Sequence, residues 1–220
     1  MKKTIFLMMV AVAAIISTSI AQNAPGNMQN TPTDFRNRIM FGLKAGVNFS
    51  NVYNSEGERF DADGKFGFAT GAFIAIPIGT FIGIQPEILF SQKGFKGTGV
   101  ILGSAYDFKR TTNYLDIPLL FAVKPTEFIS VLAGPQFSYL LKQKDVFTNA
   151  TTTIEQEQEF VNDNIRRNTM CFTGGLDFTL KHMVVGTRIG WDLLTNKGDG
   201  SSVTPTYKNV WYQATIGFRF

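Results

Sequence analysis

The chain has 220 residues, of which 17% are charged, and its formal net charge is +4. So small a positive excess, without any Lys/Arg-rich patch, argues against a nucleic-acid-binding protein. A single cysteine, Cys171, excludes an intramolecular disulfide. Phenylalanine and glycine each occur 21 times, and no apolar run after residue 21 is long enough for a membrane-spanning helix. This combination indicates a β-sheet with one apolar face and one polar face.

The first 21 residues have the organisation of a secretory signal peptide. Two lysines precede the apolar stretch 5–16, and small residues follow it up to Ala21. The apolar stretch is shorter than the roughly 20 residues of a membrane-spanning helix, which disfavours the alternative of a membrane anchor. We therefore predict export with cleavage after Ala21, followed by a disordered leader over residues 22–38, which are rich in Asn, Gln and Pro.

From residue 39 onward, apolar and polar residues alternate with the period of two that is typical of β-strands. The pattern predicts eight strands, at residues 39–51, 66–78, 81–93, 111–124, 128–141, 169–181, 183–195 and 210–220. Short connections alternate with long polar ones, which cover residues 52–65, 94–110, 142–168 and 196–209. Such alternation is typical of a membrane barrel with short periplasmic turns and long extracellular loops. We predict an all-β fold over residues 39–220, an eight-stranded antiparallel up-and-down transmembrane β-barrel.

The charged residues of the predicted strands lie mostly on the polar faces. If the apolar faces contact lipid, these charges point into the lumen, which eight strands make just wide enough to be filled by side chains. Buried charges must pair or be hydrated, and both signs are present. We therefore predict a lumenal ion-pair network formed by Lys44, Glu87, Asp116, Asp177, Arg188, Asp192 and Arg219. Periodicity alone leaves the opposite orientation open, a soluble barrel that encloses a hydrophobic ligand.

No motif in the sequence predicts an enzyme or a metal site. His182, the one histidine, falls in the short turn between the sixth and seventh predicted strands, on the side away from the outer leaflet. The stretch "DADG" at 61–64 begins like a calcium loop but has no Glu at the twelfth position. We predict no catalytic, cofactor-binding or metal-binding residues.

Several segments resemble a known family. The segments "FGLKAGVNFSN", "IGIQPEILFSQKG", "NYLDIPLLFAVKP", "VLAGPQFSYLL" and the final "GFRF" resemble the PorT-like outer-membrane β-barrel family, which is common in the Bacteroidota. The resemblance covers most of residues 41–220 outside the loops. It implies the outer membrane of a Gram-negative bacterium, with the terminal aromatic face of Tyr212, Phe218 and Phe220 as the signal that the barrel-assembly machinery reads.

These features favour a non-enzymatic barrel that acts as an envelope scaffold, with exposed loops for interaction. The namesake of the family is linked to type IX secretion, so an accessory factor of a secretion or envelope complex is one alternative, although fold alone does not fix function. The soluble barrel that binds a hydrophobic ligand is the other. The predicted partners are the outer-membrane bilayer, the assembly machinery and envelope or secretion proteins.

Overall fold

The computed structural model describes residues 35–54, 62–101, 104–149, 153–158, 166–196 and 206–220. The predicted signal peptide and most of the predicted leader lie outside the described residues. The last part of that leader, Phe35–Asn37, forms a short 3-10 helix, so ordered structure begins before residue 39. Among the described residues, no helix is long and apolar enough to cross a membrane.

Nine antiparallel strands make up the described structure. They are β1 (Met40–Asn54), β2 (Asp63–Pro77), β3 (Ile82–Ile101), β4 (Ser104–Val123), β5 (Ile129–Asn149), β6 (Thr153–Gln158), β7 (Asn168–Leu180), β8 (Met183–Asp192) and β9 (Tyr207–Arg219). Strand β5 pairs with β4 on one side and with both β6 and β7 on the other, and β9 pairs with β1. All strands except β6 therefore form a closed ring, and the predicted eight-stranded antiparallel barrel is confirmed.

The ring closes where the first strand meets the last. The β1–β9 register runs from Gly42 opposite Arg219 to Asn54 opposite Tyr207. Beyond it, the backbone N–H of Phe220 donates to the carbonyl oxygen of Phe41 at 2.8 Å. Closure pairs the backbone groups of both terminal strands, as any sheet within hydrocarbon requires.

The strands bury their polar faces and expose their apolar faces. In β8, Arg188 and Asp192 are buried, whereas Val185, Ile189 and Trp191 are exposed. The same inversion occurs on β4, where Asp116 is buried and Ile117 is 42% exposed. An exterior of this kind needs hydrocarbon to cover it. The soluble barrel with an apolar interior is therefore not supported.

Two of the predicted long loops are partly wrong, because they contain strands. Strand β3 continues to Ile101 and β4 begins at Ser104, so the predicted loop 94–110 is mostly a β-hairpin. The predicted loop 142–168 holds the end of β5 and all of β6. Outward side chains here include Lys96, Thr98 and Lys109. A strand outside hydrocarbon needs no apolar face, so apolar alternation does not reveal it.

These extensions form what we call the projecting sheet: residues 95–101, 104–112, 143–149 and 153–158. It rises above the ring at the end where the long connections lie. The opposite end, which we call the short-turn end, carries the three short turns at 78–81, 124–128 and 181–182.

We predict that Ile117→Arg destabilises the barrel by about 2–4 kcal/mol, because the charge would lie at mid-membrane depth on the lipid face. The matched control is Thr98→Arg, also an exposed outward position, but on the projecting sheet and opposite Asp107. The measurement is equilibrium unfolding by urea in lipid vesicles. An Ile117→Arg midpoint equal to that of the control would show that the faces are assigned the wrong way round.

Candidate functional site

The lumen nearest the short-turn end contains four charged side chains in one connected chain. Glu87 on β3 lies between two cations: its Oε2 is 2.5 Å from Lys44 Nζ, and its Oε1 is 3.4 Å from Arg188 Nη2. Arg188 in turn donates to both carboxylate oxygens of Asp177, at 2.6 and 3.0 Å. We call Lys44, Glu87, Arg188 and Asp177 the four-charge chain. Its charges balance and all four residues are buried.

The four-charge chain spans the lumen. Lys44 and Glu87 come from β1 and β3, whereas Asp177 and Arg188 come from β7 and β8 on the other side of the ring. Gln85 supports both acids, because its Nε2 donates to Glu87 at 2.9 Å and to Asp177 at 3.3 Å. Buried ion pairs offset their desolvation only when further hydrogen bonds satisfy them, and Gln85 supplies such bonds.

A second lumenal cluster centres on Lys93. Its ammonium lies 3.0 Å from Asp116 Oδ2 and 3.6 Å from the ring centroid of Trp211, and the residue is only 1% exposed. Trp211 fits because its neighbour on β8 is Gly190, where an added Cβ would lie 2.3 Å from the indole. The carboxylate and the indole face together replace the hydration of the ammonium.

Hydrogen bonds extend this cluster from Asp116 to Asp192. Ser138 Oγ donates to Asp116 Oδ1 at 2.5 Å and lies 3.4 Å from Cys171 Sγ. The Cys171 thiol donates to Asp192 Oδ1 at 3.1 Å, and the backbone N–H of Asn209 donates to Asp192 Oδ2 at 3.1 Å. The hydrogen bonds to Asp192 therefore come from neutral donors.

A third layer closes the lumen at the base of the projecting sheet. Arg110 binds Asp145 through two bonds, at 2.8 and 2.7 Å, and donates to the hydroxyl of Tyr207 at 3.0 Å. Burial opposes the charge of Arg110, but Tyr207 and Asp145 raise the pKa of its guanidinium above the ordinary value. Phe95 packs against Tyr207 and Phe108, with ring centroids 5.4 and 5.8 Å apart.

The structure brings together most, but not all, of the residues that the sequence places in the lumen. Lys44, Glu87, Asp177 and Arg188 form the four-charge chain, and Asp116 and Asp192 belong to the cluster around Lys93. Arg219 joins neither, since it lies at the short-turn end. There its Nε donates to the carbonyl oxygen of Lys181 at 3.0 Å, and its guanidinium lies 5.5 Å from the Phe35 ring.

Three important lumenal residues were not among those predicted from the sequence: Lys93, Arg110 and Asp145. Lys93 stands two positions after Ser91 on the polar face of the third predicted strand, so the alternation could have revealed it. Arg110 and Asp145 fell in predicted loops, where no face is assigned.

The short-turn end is covered by residues that precede β1. The backbone carbonyl of Arg36 accepts a hydrogen bond from Lys124 Nζ at 3.4 Å. The guanidinium of Arg36 lies 5.5 Å from the centroid of the Phe81 ring. Phe35 lies 5.6 Å from the ring of His182, which is an exposed residue of the 181–182 turn, as predicted. The 3-10 helix therefore contacts all three short turns. Within the described part of the chain, no cluster of His, Cys, Asp and Glu could hold a metal ion.

The three aromatic residues predicted to form the assembly signal lie outside the lumen. Tyr212, Phe218 and Phe220 are all exposed on the outward face of β9 and just beyond its end. Phe218 stacks on His182, with ring centroids 5.4 Å apart.

Comparisons with known proteins agree with this architecture. The family model described as "Outer membrane protein beta-barrel domain" matches residues 20–193. Among solved structures, the chain is similar to Ail, the attachment invasion locus protein of Yersinia pestis, crystallised with the heparin analogue sucrose octasulfate. The identity is 14%, the match covers 83% of this chain and 99% of Ail, and the TM-score is 0.50.

Two further solved barrels show weaker similarity. Neisserial surface protein A has 8% identity, with 82% of this chain and 97% of that chain covered and a TM-score of 0.48. OprG from Pseudomonas aeruginosa has 12% identity, with 82% and 95% covered and a TM-score of 0.43. No curated protein matches the sequence significantly.

We predict that Glu87→Gln destabilises the barrel by about 3–5 kcal/mol, because it leaves Lys44 and Arg188 buried without their shared carboxylate. Glu127→Gln, at an exposed turn position, is the control and should change stability by less than about 0.5 kcal/mol. Urea unfolding of both variants in the same vesicles provides the measurement. If the two substitutions have equal effects, Glu87 does not hold the two cations together.

Proposed function

Because the chain belongs to the outer membrane protein beta-barrel domain family, we propose that it is a non-enzymatic scaffold that holds the projecting sheet outside the outer membrane for interaction with other molecules. The barrel lies in the outer membrane of a Gram-negative bacterium, with its short turns on the periplasmic side. The observation that carries the proposal is that β3, β4 and β5 continue as strands beyond a lumen that side chains fill.

The filled lumen argues against transport of large solutes. The four-charge chain, the Lys93 cluster and the Arg110 layer occupy successive depths of the barrel. The first two consist of buried side chains that contact one another, and the paired side chains of Arg110 and Asp145 are only 11% and 14% exposed. Ring size supports the same conclusion, since eight strands leave room for side chains rather than for a channel. The lumenal carboxylates are engaged in these contacts, which favours a structural role for them over a catalytic one.

The projecting sheet has the features of a contact surface. Tyr106 and Phe147 stack at 5.1 Å on the face of the sheet that continues the lumenal side, and Ile154 on β6 is 57% exposed. Among the described strands, β6 pairs only with β5, so its other edge offers backbone groups that a partner strand can bind. These features favour a protein partner.

A polyanionic partner is less well supported. Ail was crystallised with a heparin analogue, and the projecting sheet does carry Lys96 and Lys109 opposite each other on β3 and β4. However, Asp63 on β2 lies opposite Lys96. Asp107 on β4 lies opposite Thr98, two residues after Lys96. Acids and bases are therefore interspersed, which disfavours binding of a polyanion.

An envelope or secretion complex, which the PorT-like resemblance suggests, is one class of protein partner. That role remains a hypothesis, and a normal set of secreted proteins after deletion of the gene would remove its support.

We predict that a photo-crosslinking residue at position 154 forms a covalent adduct with a partner protein in growing cells, because Ile154 is exposed on the projecting sheet. The same residue at position 131 is the control, since Val131 is 44% exposed but on the lipid face. The measurement is a shift of the barrel band on a denaturing gel after irradiation. Equal adducts at both positions, or none at position 154, would contradict the interaction role.

We also propose that the exposed aromatic face of Tyr212, Phe218 and Phe220 is the element that the barrel-assembly machinery reads after export and cleavage of the signal peptide after Ala21. Before the ring closes, β9 offers unpaired backbone groups beside this face. We expect Phe220→Ala to lower the amount of heat-modifiable, membrane-inserted barrel severalfold in cells, whereas Phe128→Ala, at an exposed turn residue, leaves it unchanged. Normal insertion of the Phe220 variant would contradict this role.

A further inference from the structure

The two ends of the barrel differ in charge. Near the periplasmic end the cationic side chains are Arg36, Arg38, Lys124, Lys181 and Arg219. In the three short turns and the entry segment 35–39, Glu127 is the one acidic side chain. The nearest lumenal acid, Asp177, is already bound to Arg188. The periplasmic end therefore carries a net positive charge, whereas the projecting sheet at the other end mixes both signs.

These cations lie at the depth of lipid headgroups. The three turns are too short to extend far into the periplasm, and apolar side chains adjoin them on the outward face. Leu180, Met183 and Phe220 are all more than half exposed there, and an aromatic ring such as that of Phe220 marks the boundary between hydrocarbon and water. Lys181 directly follows Leu180 along the chain, so it stands at that boundary.

The backbone conformation at Lys181 indicates that its side-chain ammonium has a role beyond forming the turn. It has a φ of 55°, the only positive φ of a non-glycine residue among those described. Glycine or asparagine adopts this left-handed conformation at lower cost. The turn therefore does not explain the lysine, whereas its exposed ammonium on a long stem can reach a phosphate at the membrane surface.

We propose that the periplasmic rim, formed by the exposed residues Arg38 and Lys181, binds the headgroups of anionic phospholipids in the inner leaflet of the outer membrane. A lipid fits this surface better than an acidic peptide does, because each cation is next to an exposed apolar residue: Arg38 precedes Ile39, and Lys181 follows Leu180. The rim thereby fixes the depth of the barrel in the bilayer. This inference depends on the orientation of the barrel and not on the scaffold function.

The test compares lipid retention by the complete barrel after reconstitution in vesicles of phosphatidylcholine and phosphatidylglycerol. Native mass spectrometry of the extracted protein counts the two lipids that remain bound. We expect Lys181→Asn to lower the ratio of phosphatidylglycerol to phosphatidylcholine about fivefold, and Arg38→Gln to lower it again by a similar factor. Asparagine suits the left-handed turn, so Lys181→Asn should unfold no earlier than the wild type in phosphatidylcholine alone.

The matched control is the pair Lys96→Gln and Lys109→Gln, which removes two exposed cations from the opposite end. This variant should keep the wild-type lipid ratio. An equal fall of the lipid ratio in the control would show that total charge, and not the rim, selects the lipid, which would overturn the proposal. An unchanged lipid ratio in the rim variants would also overturn it. Weaker binding of soluble muropeptides by the rim variants, with an unchanged lipid ratio, would assign the rim to the cell wall and also overturn it.

Discussion

The structure depends on one constraint: every backbone N–H and C=O group within hydrocarbon must have a partner inside the protein. A β-sheet meets this constraint only by closing, and here β9 pairs with β1 along thirteen residue positions while β5 joins β4 to β7. Closure forces one face of every strand outward and the other into a narrow lumen. The distribution of apolar and charged side chains follows from that geometry.

The lumen of an eight-stranded barrel is narrow enough to be filled by the inward side chains. In this chain those side chains are largely polar or charged. These buried charges pair with one another across the lumen instead of standing alone. Glu87 reaches Arg188 from the other side of the ring, and Lys93 lies between an acid and the indole of Trp211. A slip of one residue in any strand would turn these charges toward lipid, so the lumenal contacts also specify the register. Glycines such as Gly190 make room for the largest side chains, which explains part of the high glycine content.

The sequence was sufficient for the fold because lipid imposes a strict alternation. Each of the eight predicted strands corresponds to a strand of the ring, and the apolar faces lie outward as expected. The prediction was wrong where hydrocarbon ends: the end of β3, the start of β4, the end of β5 and all of β6 were taken as loops, because no apolar outward face marks them as strands. It was also incomplete inside the lumen, because alternation shows that Arg188 and Arg219 face inward but not at what depth. Depth decides that Arg188 meets Asp177, whereas Arg219 lies against Phe35. The pairing of acids with bases needs the strand register, which the sequence does not contain.

The two tryptophans of the chain provide the most direct test, since they lie on opposite faces of neighbouring strands. Trp191 is 36% exposed on the outward face of β8, and Trp211 is 2% exposed in the lumen beside Lys93. The measurement is quenching of tryptophan fluorescence by lipids with brominated acyl chains, in single-tryptophan variants made by Trp211→Phe and Trp191→Phe. Strong quenching of Trp191 and little quenching of Trp211 is the expected result. Strong quenching of Trp211 with Trp191 unaffected would contradict the orientation from which the whole account follows.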